Sequence, residues 1–318
     1  MLKVLFKFNE VLLSSTTAYR MLNNQRSASM KLAYDLYFPP GNREQNLPPV
    51  ILMHGMLDSR KSWKYIAPCI AERTGRKVYA IDARNHGESP WNERITFDEN
   101  AEDLREFFSQ HQILRASIVG HSMGGRTAMA IALNQPQLVE KIVVEDMNCR
   151  NFKPTQSGIM VQVIEMLRES LNHIPPGSDE RTAKKSVAKY IVSLFAQTTG
   201  NEVKRKKDSR YDLSMIPLKR DGSSYSWEAN LDALEKMLTT DRITQNLSGV
   251  FRGDALFLYG TKSFFKVEKD EKIPKLFPRV TLVGIERATH LLHFEFPDRF
   301  IDEVSFFLNN GLELKAKY

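Results

Sequence analysis

Gly120-His121-Ser122-Met123-Gly124 sets a serine between two glycines, after the apolar run 116–119 and before the helix-compatible run 127–133. A strand, an abrupt turn and a helix in that order project the serine hydroxyl at the end of a sheet, close to the positive end of the helix. A serine is a weak nucleophile until a base accepts its proton. The pattern therefore asks for a histidine, a carboxylate to orient it, and amide donors where negative charge develops on a carbonyl oxygen. That set would transfer acyl groups through a covalent intermediate on Ser122.

The chain offers a candidate for each role. His290 follows the strand expected at 280–283 and precedes a closing helix opened by Pro297. His86 is an alternative base, but it lies in the compact polar turn 82–90 and reads as structural or pocket-lining. His293, three residues beyond His290, faces either pocket or core. For the acid, Asp146 stands at the end of the short apolar strand 141–144, 24 residues beyond Ser122, enough for one helix and the adjacent strand. Glu145, one step earlier, should point to the opposite face. Asp232 on the helix-like stretch 227–237 is a second candidate acid, while Glu268 and Asp270 come late after the strand 255–259, whose immediate turn carries no carboxylate. Amides of Met56, after the strand 50–53, and of Met123 are the candidate oxyanion donors.

The elements that must hold these residues alternate between strand and helix. Strands are expected at 31–38 (an edge strand stopped by Pro39 and Pro40), 50–53 and 77–81, with helices at 63–74, ended by Gly75, and from a cap at Asp98 toward His111. This rhythm implies an α/β sandwich around a mostly parallel central sheet. It breaks at 151–248, where 159–171, 183–195 and 227–237 read as amphipathic helices of an inserted helical cap whose apolar faces would receive an acyl chain. The expected organisation is thus a first core part at 31–150, a cap at 151–248 and a second core part at 249–318.

A chain of 318 residues, 42% hydrophobic and 26% charged, can build a substantial core. It has no apolar run of about 18 residues, so a membrane-spanning helix is not expected. Peripheral membrane contact stays open. Cys69 and Cys149 form neither a disulfide framework nor a four-ligand metal set and read as buried thiols. Of the net charge of +7, residues 1–30 supply +3, from Lys3, Lys7, Arg20 and Arg26 against Glu10, which leaves +4 for the rest. That surplus calls for no nucleic-acid partner. The basic, apolar and hydroxyl-rich segment 1–30 reads as a mitochondrial presequence. The run Lys204, Arg205, Lys206 and Lys207 reads as a solvated face, with an anionic membrane or charged substrate as the alternative.

Four stretches together carry a resemblance: His54-Gly55-Met56, the turn from Asp82 to Pro90, Gly120-His121-Ser122-Met123-Gly124-Gly125, and the region of His290. On these the chain resembles the α/β-hydrolase family and, within it, the abhydrolase-domain-containing protein 11 group. The resemblance implies an α/β-hydrolase fold with an inserted cap, the order Ser122, Asp146, His290 for nucleophile, acid and base, and a mitochondrial lipid hydrolase of diacylglycerol lipase or related esterase type. It implies no cofactor and no metal. Haloalkane dehalogenases and epoxide hydrolases share the fold but attack with a carboxylate where this chain has Ser122. A noncatalytic role, binding a lipid or a mitochondrial protein partner, would keep the cap without needing Ser122 and His290.

Overall fold

The computed structural model describes residues 30–41, 47–199 and 213–311. The segment read as a presequence, except Met30, and the basic run 204–207 lie outside the described residues. Among the described residues seven strands form the main sheet: β1 (Tyr34–Tyr37), β2 (Val50–Met53), β3 (Val78–Ile81), β4 (Ala116–His121), β5 (Val139–Glu145), β8 (Asp254–Gly260) and β9 (Val280–Ile285). Their order is β1-β3-β2-β4-β5-β8-β9, with only β1 antiparallel to its neighbour. Strands covered on both faces need apolar residues at every position. Val-Ile-Leu-Met in β2 and Val-Tyr-Ala-Ile in β3 are accordingly buried throughout.

Side-chain alternation divides the core in two. Ile51, Met53, Ile118, Ile142, Val144 and Phe257 face α2 (Phe97–Gln110), α3 (Met123–Asn134) and the cap. Val50, Leu52, Val119, Val143, Leu256 and Leu258 face Trp63, α1 (Ile66–Thr74) and the closing helix Pro297–Asn310. Pro297 opens that last helix, where its missing N–H costs nothing. The start of α2 corrects the sequence expectation. Thr96 is the cap, its hydroxyl accepting from the Glu99 amide at 3.1 Å, while Asp98 lies in the first turn and accepts from Gln245 Nε2 at 2.7 Å.

The insertion contains α4 (Pro154–Ser170), α5 (Glu180–Thr199) and α6 (Leu231–Leu238), and also a hairpin absent from the sequence reading. Its strands β6 (Leu218–Asp221) and β7 (Ser224–Trp227) turn at Gly222, where φ is 60°. Trp227 therefore ends a strand instead of starting a helix. Its indole N–H donates to the Leu167 carbonyl at 2.7 Å, and α6 begins later, capped by Asn230.

Helix α3 approaches strands β4 and β2 closely because two glycines leave room. A Cβ on Gly120 would stand 2.2 Å from the Gly124 carbonyl oxygen, and one on Gly124 would stand 2.3 Å from that of Met53. Both obstacles are backbone, so no rotamer change relieves them. Gly124→Ala is expected to cost about 2–4 kcal/mol. Urea titration would show this as a lower midpoint; an unchanged midpoint would contradict the close approach.

Candidate active site

Ser122 occupies the turn between β4 and α3 with φ 51° and ψ −110°, a conformation that side-chain-bearing residues rarely adopt. Neighbouring backbone groups enforce it. Its N–H donates to the Glu145 carbonyl at 3.0 Å, its carbonyl accepts from Arg126 N at 3.0 Å, and Gly124 N donates to the His54 carbonyl at 3.2 Å. The Met123 amide is in the first turn of α3, where helix geometry supplies no intrahelical acceptor.

Asp146 follows β5, the next strand, also at positive φ (46°), with its N–H on the Leu258 carbonyl at 2.8 Å. Its carboxylate is fully buried and accepts three hydrogen bonds. Gly260 N donates to Oδ1 at 3.0 Å; the Ser263 hydroxyl donates to Oδ2 at 2.5 Å, and His290 Nδ1 lies 2.7 Å from the same oxygen. Because the carboxylate is an acceptor, His290 carries its proton on Nδ1 and keeps a lone pair on Nε2. His290 is partly exposed and packs against the rings of Phe265 at 4.6 Å and Phe264 at 5.8 Å.

Asp146 and His290 are therefore in direct contact, and Ser122 stands in the turn that follows the neighbouring strand β4, at the same end of the sheet. Among the described residues no hydrogen bond joins the Ser122 hydroxyl to His290; such contacts commonly tighten only around a bound substrate. The other carboxylates have different roles. Asp232 is 91% exposed and pairs with Arg168 at 2.6 Å on the cap, Asp270 accepts the Cys149 amide at 2.6 Å, and Glu268 is exposed. Cys149 is buried but Cys69 only half-buried, and both are free thiols.

His86 is structural. Nδ1 donates to the Arg84 carbonyl at 2.8 Å and Nε2 accepts the Leu57 amide at 3.2 Å, so both ring nitrogens are occupied. His54 does the same with the Gly55 carbonyl and the Ala83 amide, at 2.7 and 3.0 Å. Together they fix the loop that carries Met56, in which Leu57 has φ 69°. Burial lowers His54 to about 4 and His86 to about 3.

A pH dependence follows from His86. Between about pH 3 and 6.5 the unfolded chain protonates this residue and the folded protein does not, so its contribution to stability is present at pH 7 and is lost as pH falls through the window. The loss reaches about 2 kcal/mol at pH 5. The stability difference between wild type and His86→Asn should narrow by that amount from pH 7 to pH 5. A pH-independent difference in urea titrations would contradict a buried neutral imidazole.

His121, Glu145 and His293 form a buried cluster whose ligand-type atoms lie within 4.8 Å of one another. These are metal-binding residue types, but the 2.7 Å between His293 Nδ1 and Glu145 Oε1 is a hydrogen-bond distance, shorter than the roughly 3.4 Å between two ligands of a tetrahedral ion. The groups hydrogen-bond instead. Glu145 accepts from His293 N at 2.9 Å and from His293 Nδ1 at 2.7 Å, and His121 Nε2 donates to the His290 carbonyl at 3.0 Å. Burial raises the Glu145 carboxyl to about 7, lowers His293 to about 3 and holds His121 well below the usual imidazole range. Sequence reasoning missed the roles of Ser263 and His121. The signal for Ser263 is the turn after β8, which carries hydroxyls and no carboxylate.

With a mostly parallel sheet, a strained serine turn and an Asp–His pair at one sheet end, the chain belongs to the α/β-hydrolase fold family, whose model matches residues 48–297. It is an enzyme of that fold. It is similar to the sn-1-specific diacylglycerol lipase ABHD11 of Danio rerio, 30% identical over 289 residues that cover 90% of this chain and 85% of the relative. It is also similar to ethanol acetyltransferase 1 of Cyberlindnera fabianii, 27% identical over 325 residues that cover 96% and 93% of the two chains. Among solved structures, a marine microorganism esterase superposes with a TM-score of 0.69 at 28% identity, covering 88% of this chain and all of that one.

Proposed function

We propose that the protein is a serine esterase that cleaves carboxylic esters of lipids, diacylglycerol among them, with Ser122 as nucleophile, His290 as base and Asp146 as the acid that orients it. The observation that carries this reading is the 2.7 Å Asp146–His290 contact beside the strained Ser122 turn. His290 Nε2 takes the serine proton as Ser122 attacks the ester carbonyl, and Asp146 stabilises the imidazolium without accepting the proton. Amides of Met56 and Met123 receive the oxyanion. Collapse returns the proton to the leaving alcohol, and water activated by His290 then releases the acid. An apolar wall of Phe264 and Phe265 beside His290 suits an acyl chain.

The similarity to ethanol acetyltransferases supports a second fate for the acyl-enzyme, transfer to an alcohol in place of water. One experiment separates the two: incubation with diacylglycerol and with short-chain esters, each with and without ethanol, and quantification of free acid against ethyl ester. Free acid as the main product supports the hydrolase reading, and ethyl ester as the main product supports the transferase. No turnover of any ester would remove the esterase proposal. In the same reading residues 1–30 direct the protein to the mitochondrial matrix; unchanged import of a chain lacking them would contradict that part alone.

A further inference from the structure

We infer that His121 and Glu145, the residues immediately before Ser122 and Asp146, position the loop that carries His290, with His293 as the point of attachment. The inference rests on the triad reading above. His121 and Glu145 are direct partners in the β4–β5 ladder, so both side chains leave the sheet on one face. That face is packed by Trp63 and the closing helix. Beneath the site, Glu145 accepts both the backbone N–H and Nδ1–H of His293, and His121 Nε2–H holds the His290 carbonyl. The adjacent carboxylates at the end of β5 and just after it thus hold two histidines three residues apart: Asp146 takes the His290 ring, and Glu145 takes the chain and ring of His293.

The packing around these contacts leaves the loop little freedom. Trp63 lies 4.7 Å from the His293 ring, the His121 ring lies 4.6 Å from that of His290 and 5.0 Å from that of His293, and Glu145 and His293 have no exposed surface. Gly55 makes room for His121, since a Cβ there would stand 2.5 Å from His121 Nδ1. Chemistry at Ser122 depends on where His290 Nε2 sits. A displacement of about 1 Å in such a base costs on the order of a hundredfold in rate.

The test uses the full chain, a short p-nitrophenyl ester, and the variants His293→Leu, His293→Asn, Glu145→Gln and Ser122→Ala, each checked for folding by thermal melting. Asparagine presents an amide N–H close to where imidazole presents Nδ1–H; leucine presents none. His293→Leu is expected to lower kcat by about 30- to 100-fold with KM changed less than about twofold, and His293→Asn to restore kcat to within about threefold of wild type. The low-field proton NMR signal of the Asp146–His290 hydrogen bond should vanish in the leucine variant and return in the asparagine variant. If His293→Leu does not fold, Glu145→Gln carries the test, because it keeps the volume but puts an amide donor against His293 Nδ1; kcat should fall about tenfold. Wild-type kcat in a folded His293→Leu or Glu145→Gln, or His293→Asn no better than His293→Leu, would overturn the inference while an inactive Ser122→Ala left the triad standing. Turnover by Ser122→Ala would overturn the triad reading itself.

Discussion

Asp146→Asn is expected to lower kcat by about 10³- to 10⁴-fold, with a stability loss of only about 1–2 kcal/mol. The asparagine carbonyl can still accept the Gly260 amide, and its NH₂ can donate to the Ser263 hydroxyl, so most of the buried polar contacts survive. What changes is the imidazole. An NH₂ facing His290 Nδ1 requires a lone pair there, which moves the ring proton to Nε2, the atom that accepts the serine proton in the proposed mechanism. Asp232→Asn should leave kcat within about twofold, since that side chain is 91% exposed and its partner is Arg168 on the cap. Initial rates with a short ester decide between the two. An active Asp146→Asn beside an inactive Asp232→Asn would move the acid to the cap.

Ser122→Ala should show the larger effect, a loss of about 10⁶-fold in kcat, because without the hydroxyl the acyl-enzyme cannot form. Folding should be retained. Alanine meets the same strain at φ 51° as serine, and the backbone bonds to Glu145, Arg126 and His54 remain. Thermal melting alongside turnover separates this outcome from simple unfolding. Wild-type melting with wild-type turnover would place the nucleophile elsewhere.

Much of this arrangement is legible in the sequence because the signals are local. Buried parallel strands appear as short apolar runs, Gly75 and Pro297 mark helix ends by backbone chemistry, and period-two alternation separates Glu145 from Asp146. The missing parts depend on distant contacts. Nothing near Ser263 indicates that its hydroxyl donates to a carboxylate 117 residues earlier in the chain. Nor does the stretch around His121 disclose that its ring holds the backbone of His290. Strands of four residues in the cap hairpin are too short for alternation to register, and the buried Trp227 fits the neighbouring amphipathic pattern equally well. Thr96 and Asp98 are both good capping types, and only the extended backbone at Thr96 selects between them.

The central claim is that Ser122 is an activated nucleophile. Its most direct test is intact-mass analysis after treatment with a fluorophosphonate probe, comparing wild type with Ser122→Ala. A single adduct on wild type that is absent from the variant is the expected result. An equal adduct on both proteins, or none on folded wild type, would contradict the assignment.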